Sequence, residues 1–219
     1  MHENTNGPAV AVDTVVMGID EGKLKILVLQ IGSREYQGKW ALPGGLIQIG
    51  ESPESAARRV LEKKTNIKAG YLEQLYTFGD PKRDVRGQII SVAYFLLVKD
   101  IKKYQIKSTD FYSDIQWIAV DSLPAMAFDH QEIISIALKR LQDKLGYSNI
   151  AYSLVPKLFT LTELQIVYEI VLGRKLDKRN FRKKILGLNL LKDAFKIKKD
   201  ANRPAKLYQF KKESLVYFE

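Results

Sequence analysis

Apolar positions divide the chain into strands and helices before any chemistry is considered. Residues 9–19 (AVAVDTVVMGI) are rich in Val and Ala and predict a buried strand, paired with residues 25–29 across the Asp20-Glu21-Gly22-Lys23 turn. Further β-prone runs at 71–78, 89–98 and 115–120, the last containing Trp117, predict three more strands. Between them the period becomes helical. Ser52-Pro53-Glu54 starts a helix that ends near Asn66, with Ala56, Ala57, Val60 and Leu61 on its apolar face. Asp129 predicts the cap of a second helix through Leu145, with Ile133, Ile136, Ala137, Leu138 and Leu141 turned inward. This order predicts a layered α/β domain over residues 1–146.

Residues 146–149 (GYSN) read as a boundary and the sole joint to a second domain over residues 147–219. Ile150, Leu154, Val155 and Leu158 have helical spacing. Thr162 with Gln165 three residues on predicts a capping box for a helix that carries Leu164, Val167, Tyr168, Val171 and Leu172 and ends at Gly173. Asp177 predicts the cap of the next helix, 178–186, with Phe181, Ile185 and Leu186 inward. Residues 190–197 and 205–210 predict a hairpin. Helices joined by a short Gly-containing turn, followed by a hairpin, form a winged helix-turn-helix pattern.

Charge sharpens that picture. Of the 219 residues 46% are apolar, enough for a packed core, and no run approaches the ~18 apolar residues of a membrane span. The first eight residues are polar and lack the features of a signal peptide, and the chain has no Cys, so a cytoplasmic protein without disulfides, zinc fingers or thiol chemistry is expected. Residues 146–219 carry 16 Lys+Arg and 7 Asp+Glu, a net of +9, whereas residues 1–145 carry 19 and 18, a net of +1. Nearly the whole excess sits in the last third, which points to a basic module facing a polyanion. Lys178, Arg179, Arg182 and Lys183 fall on the outer face of the second helix of the helix-turn-helix, the one that enters a major groove. Arg174 and Lys175 precede it, placed for phosphates, and Lys198, Lys199 and Arg203 fall at the wing tip, where Arg203 suits a minor groove. Duplex DNA is the predicted partner.

Candidate chemistry centres on residues 42–67, LPGGLIQIGESPESAARRVLEKKTNI. The spacing of Gly45, Glu51 and Arg59 resembles a Nudix box, the loop-helix motif of the Nudix hydrolases. That resemblance implies three helix glutamates holding divalent metals against a diphosphate. Val60, Lys63 and Lys64 stand at those three positions. Hard cations need clustered oxygen ligands, and Glu51 and Glu62 lie on different faces. An ammonium such as that of Lys64 repels a divalent metal and neutralises phosphate instead. The expectation is a Nudix scaffold that binds without cleaving: no catalytic residues, no metal, no cofactor.

The whole chain, from about residue 9 to 210, resembles the Nudix-related transcriptional regulators, the NrtR family. Beside the altered box, the resemblance rests on Leu75-Tyr76-Thr77-Phe78-Gly79-Asp80-Pro81 with Arg83-Asp84, and on Ala127-Phe128-Asp129-His130. Phe159-Thr160-Leu161-Thr162-Glu163-Leu164-Gln165, Leu176-Asp177-Lys178-Arg179-Asn180-Phe181-Arg182 and Arg203-Pro204-Ala205 complete it. It implies a Nudix-type α/β/α sandwich followed by a small winged helix-turn-helix domain, in a homodimer whose first domain senses a small molecule and whose second binds an operator. For many members it implies ADP-ribose as effector and NAD-synthesis genes as targets; for others, sugars such as arabinose. Effector candidates are Trp40, which can stack on a base or sugar or belong to the core; Lys64; Arg83 and Arg86, whose guanidinium groups suit a diphosphate; and Asp84, which suits ribose hydroxyls, the last three in a loop that reads equally as an exposed mixed-charge turn. Asp129 and His130 complete the set, His130 with a surface position at the helix start as its default. Two other classes compete: an active Nudix pyrophosphohydrolase on ADP-ribose or another nucleoside diphosphate derivative, recognised by metal-dependent release of monophosphates, and an RNA-binding interaction protein, recognised by indifference to a palindromic duplex.

Overall fold

The Val-rich run becomes β1 (Ala9–Asp20), the strand on which the first domain is built. A computed structural model describes residues 7–32, 34–104, 112–198 and 204–218. The hairpin partner β2 (Lys23–Ile31) pairs antiparallel with β1, Met17 opposite Ile26. The short strands β3 (Trp40–Ala41) and β4 (Gly44–Leu46) pair with β2 and β1. After helix α1 (Pro53–Thr65), β5 (Tyr71–Phe78) and β6 (Ile89–Val98) extend the sheet, β6 parallel to β1 with Asp13 opposite Ala93. Strand β7 (Tyr112–Ala119) completes it against β2. β1 has few polar positions because both its faces are covered, as continuous apolar strands require. Val12 packs under α1 with Ala56, Ala57 and Val60, while Val15 and Met17 face Ile133, Ala137 and Leu141 of helix α2 (His130–Tyr147). The layers are α1, sheet, α2: the sandwich expected.

Asp13 shares β1's α2 side with Val15 and Met17, and so lies under the start of α2. α1 starts as predicted, with Ser52 accepting from the Ser55 N–H, Pro53 in the first turn, and Asn66 closing the helix at φ 58°. Asp129 does sit at the cap position of α2, but its carboxylate makes no capping bond; both oxygens are taken by Arg83, a partner 46 residues away.

The second part opens with a single 3-10 turn, Ile150–Ser153, instead of a helix through Leu158. Pro156 has no N–H to continue a helix and disfavours helical geometry at Val155. Helix α3 (Leu161–Leu172) starts earlier than expected, and its capping box is Thr160 with Glu163, not Thr162 with Gln165. Thr160 N–H donates to Glu163 Oε2 at 2.7 Å and Glu163 N–H to Thr160 Oγ1 at 3.1 Å, which leaves Gln165 to bridge Glu169 and the Leu176 carbonyl. Asp177 caps α4 (Lys178–Gly187), and β8 (Leu191–Lys198) with β9 (Ala205–Phe210) forms the wing hairpin. Phe159 pairs with Tyr208 and adds a third short edge to it. Lys199 and Arg203 lie outside the described residues.

The joint at residues 146–149 is packed, and it is not the sole connection. α2 runs through Gly146 to Tyr147, and Ser148 and Asn149 are buried. Asn149 donates to the Ser214 carbonyl at 3.0 Å and accepts from the Val216 N–H at 2.7 Å, so the segment after the wing folds back across the joint. One apolar cluster runs from Val15 through Leu154 to Phe210 without a break.

Candidate functional site

The end of α2 nearest the box is held by a buried polar network. Arg83 donates to both oxygens of Asp129, each at 2.7 Å, and its Nη2 lies 3.2 Å from Asp13 Oδ2. Ser91 donates to that same oxygen at 2.6 Å. His130 is buried, not at the surface: its Nδ1 accepts the Leu42 N–H at 2.9 Å and its Nε2 lies 3.4 Å from Asp13 Oδ1. That pattern places the imidazole proton on Nε2, facing Asp13. Burial disfavours ionised Asp13, yet His130, Ser91 and Arg83 outweigh it and hold the carboxyl well below the ordinary carboxylate range. Arg83 is raised despite its own burial by Asp129 and Asp13. Of the candidates, Arg83 and Asp129 are thus committed to each other, and Asp129 bears on the site only through Arg83.

Above this network opens a cleft of about 600 Å³, within the range that encloses small ligands. Its walls include Arg59, Val60, Lys63, Lys64, Arg86, Tyr112 and Phe128. The box builds one side. Gly44 is obligatory, because a Cβ there would lie 1.9 Å from Asp13 Oδ1; Gly45 runs over Val60, 3.1 Å from a built Cβ. Arg59 donates to both oxygens of Glu51 at 2.7 Å, latching the loop onto α1 and drawing the Glu51 carboxyl down to about 2. Lys64 reaches across the opening, its ammonium donating to the Gly44 carbonyl and to the Tyr112 hydroxyl. A divalent metal does not fit this side. Val60 is buried apolar, two ammonium groups flank the cleft, and Glu51 is already bound; no cluster of three or more His, Cys, Asp or Glu with metal-holding geometry occurs among the described residues.

The opposite wall is aromatic. Tyr36 and Phe128 meet with ring centroids 4.3 Å apart, His130 lies 4.9 Å from Phe128, and the Arg86 guanidinium sits 5.3 Å from the Phe128 centroid. Asp84 is buried behind it and accepts from Arg86 at 2.7 Å and from Tyr36 Oη at 3.3 Å. Phe128 takes a left-handed φ of 54°, a conformation that costs an aromatic residue ~1–3 kcal/mol and is retained where the surroundings dictate it. Of the candidates, Lys64, Arg83, Asp84, Arg86 and His130 line the cleft together. Trp40 does not; it pairs with Gln30 and Met126 and packs against the main core. Asp13, Tyr36, Lys63, Tyr112 and Phe128 were not singled out by the sequence as binding residues. Only Phe128 and Lys63 had a local signal, inside the phrases that carry the family resemblance; the others come from distant strands and a turn.

The second site is the outer face of α4. Lys178, Arg179 and Lys183 are exposed there, with Arg174 on the preceding turn. Arg182 is half-buried: its Nη2 reaches Thr162 at 3.5 Å, and its Nε has no hydrogen-bond partner among the described residues. Lys175 pairs with Glu169 at 2.8 Å. Lys198 pairs with Glu163 at 2.8 Å, so wing and α4 converge on the first turn of α3.

Comparison with known proteins bears on both sites. The NUDIX domain family matches residues 7–136, and the NrtR DNA-binding winged helix domain family matches residues 151–210. The chain is similar to the ADPR responsive transcriptional repressor NtrR of Acinetobacter baylyi, 36% identical over 207 residues that cover 93% of this chain and 82% of that protein. Among solved structures, NrtR of Shewanella oneidensis complexed with a 27mer DNA superposes with a TM-score of 0.80 at 35% identity, covering 92% of this chain and 93% of that one. The NUDIX domain of the same protein complexed with ADP ribose gives 0.56 at 35% identity, covering 62% and 90%.

Proposed function

Since this chain belongs to the NrtR family of Nudix-related transcriptional regulators, we propose that it is an ADP-ribose-responsive repressor whose Nudix-like domain senses the ligand and hydrolyses nothing. In this reading residues 1–146 form the sensor and residues 147–219 the operator-binding domain, in a cytoplasmic homodimer. The observation that carries it is the substitution of ammonium groups for carboxylates on the cleft side of α1. In a metal-dependent hydrolase, carboxylates there hold cations that meet a diphosphate; here Lys63 and Lys64 meet it directly. Arg59, Arg83 and Arg86 each already face a carboxylate, so the two lysines supply the positive charge left for a ligand. The wall of Tyr36, Phe128 and Arg86 supplies a flat surface for an adenine or a ribose. An uncharged pentose such as arabinose carries no phosphate charge for the two lysines to neutralise.

Coupling between the sites runs along α2. The helix begins at His130 and Asp129 in the floor of the cleft and ends at Tyr147 against the folded-back terminal segment, ~27 Å away at 1.5 Å per residue. A ligand that shifts this network biases the packing at the far end. By thermodynamic linkage, ligand and DNA then change each other's affinity by the same factor.

The test is calorimetric titration of the full chain with ADP-ribose in EDTA, then titration of a selected duplex with and without it. Binding without metal, no monophosphate released on adding Mg2+ or Mn2+, and weaker duplex binding in its presence are expected. Turnover in the ordinary enzyme range of ~1–10³ per second would return the protein to the hydrolases; unchanged duplex affinity at saturating ADP-ribose would remove the sensor role.

A further inference from the structure

The wing carries a feature that folding does not account for. Phe195, in the middle of β8, is 94% exposed and takes a left-handed φ of 53°. Burial stabilises nothing here, and the conformation is unfavourable for a side chain with a Cβ. The geometry is nevertheless fixed. Asp193 pairs with Tyr208 and Ile197 with Lys206, so Ala194, Phe195 and Lys196 bulge out opposite Leu207 alone. Asp193 accepts the Phe195 N–H at 2.7 Å, an Asx turn that sets the bulge, and Lys206 holds the other Asp193 oxygen at 3.4 Å. Ile197 beside it is 59% exposed. A bulge thus presents an aromatic ring to the outside at a position that glycine would occupy with less strain.

The surroundings select the occupant. Lys192 and Lys196 lie on either side of Phe195 in sequence, are exposed, and meet no carboxylate among the described residues. The hairpin itself converges with α4 at the first turn of α3, through Lys198 to Glu163 and Arg182 to Thr162. Resting on the DNA-binding reading of this domain, we propose that Phe195 is a DNA contact: the ring enters the minor groove beside the segment read by α4 and partly unstacks a base step, with Lys192 and Lys196 on the bordering phosphates. Apolar wedges flanked by cations are how proteins open the minor groove.

The experiment compares full-length wild type with Phe195→Gly, Phe195→Trp and Lys196→Ala on duplexes enriched by the wild type from a random 30-bp library, with 2-aminopurine placed along the minor-groove segment. Glycine suits the φ at this position, so Phe195→Gly keeps the fold, checked by its melting curve. Expected is a loss of about tenfold in affinity for Phe195→Gly, with the salt dependence unchanged because no counterion is released. Expected too are a 2-aminopurine fluorescence rise with wild type and Phe195→Trp that is absent with Phe195→Gly, and a salt slope lowered by about one unit for Lys196→Ala. Equal binding by wild type and Phe195→Gly overturns the inference. So does a Phe195→Gly protein that sediments as a smaller species than wild type, since the ring would then lie between copies. A wild type that enriches no duplex overturns the DNA reading and this inference with it.

Discussion

Arginine and lysine do opposite work at the two ends of this molecule. Around the cleft, Arg59 is latched to Glu51, Arg83 is buried between Asp129 and Asp13, and Arg86 is bound to Asp84. Each fork is filled by a carboxylate of the chain itself, and the plane of Arg86 is left to face the cleft. On α4, Lys178, Arg179 and Lys183 stand exposed on a helix without an acidic residue in its first turn. Charge type therefore says little about what a basic residue is for; burial and a filled fork say more. The cleft lysines Lys63 and Lys64 fall between these cases, on a folded surface but without a carboxylate, and the effector reading rests on them.

The sharpest way to break this comparison is to remove a committed arginine. Arg83→Ala leaves Asp13 and Asp129 buried without their cation, and unfolding in urea should show a loss of ~3–5 kcal/mol. A loss under ~1 kcal/mol would mean the network is not structural. The same network dictates an acid dependence. Asp13's folded pKa lies below its unfolded value of ~3.9, so its contribution is complete at neutral pH and is lost as pH falls below about 4. Asp13→Asn should therefore unfold with a flatter acid limb than wild type.

Next in size is the effect on ligand. Lys64→Glu places a carboxylate on the cleft side of α1 and should weaken ADP-ribose binding in EDTA by about tenfold or more, given ~1.5–3 kcal/mol for a hydrogen bond to a charged group. Stability should change little, since Lys64 is only part-buried. Equal affinity in calorimetry would place the diphosphate elsewhere in the cleft. A similar or smaller change is expected on α4. Arg179→Ala should lose ~1–3 kcal/mol of discrimination between selected and random duplex, the worth of a bidentate contact to guanine. Arg182, tied to Thr162, should show a smaller loss of preference. If Arg182→Ala loses more, the bond to Thr162 is given up on DNA. Smallest is Lys183→Ala, which should weaken both duplexes alike and lower the salt slope by about one unit. A change in sequence preference there would make Lys183 a reader of bases.

Much of the architecture was legible because it depends on local periodicity. The strands at 71–78 and 89–98 begin and end where the apolar pattern does, and α1 has its cap, proline and apolar face within fourteen residues of sequence. Where two local signals competed, the pattern was not enough. Thr160-Glu163 and Thr162-Gln165 are both capping spacings, and the choice fell to the pair that starts the helix early enough to bury Leu161. Residues 150–158 had helical spacing, but Pro156 removed the hydrogen bond that a longer helix needs.

The sequence by itself determined the order of elements, the excess of charge in the last third, and the placing of Val60, Lys63 and Lys64 in the helix that follows Gly44-Gly45, since each is a property of neighbouring residues. Only the tertiary structure decided which polar groups are partners. Asp13 on β1, Arg83 on a loop, Ser91 on β6 and the Asp129-His130 pair are separated by up to 117 residues, and nothing local tells a carboxylate which guanidinium it will meet. The same holds for Tyr112 under Lys64 and for the wall of Tyr36 and Phe128. Periodicity is written residue by residue along a helix or strand. A buried ion pair is set by where the sheet brings its strands together, and the cost of leaving any such charge unpaired then holds the arrangement in place.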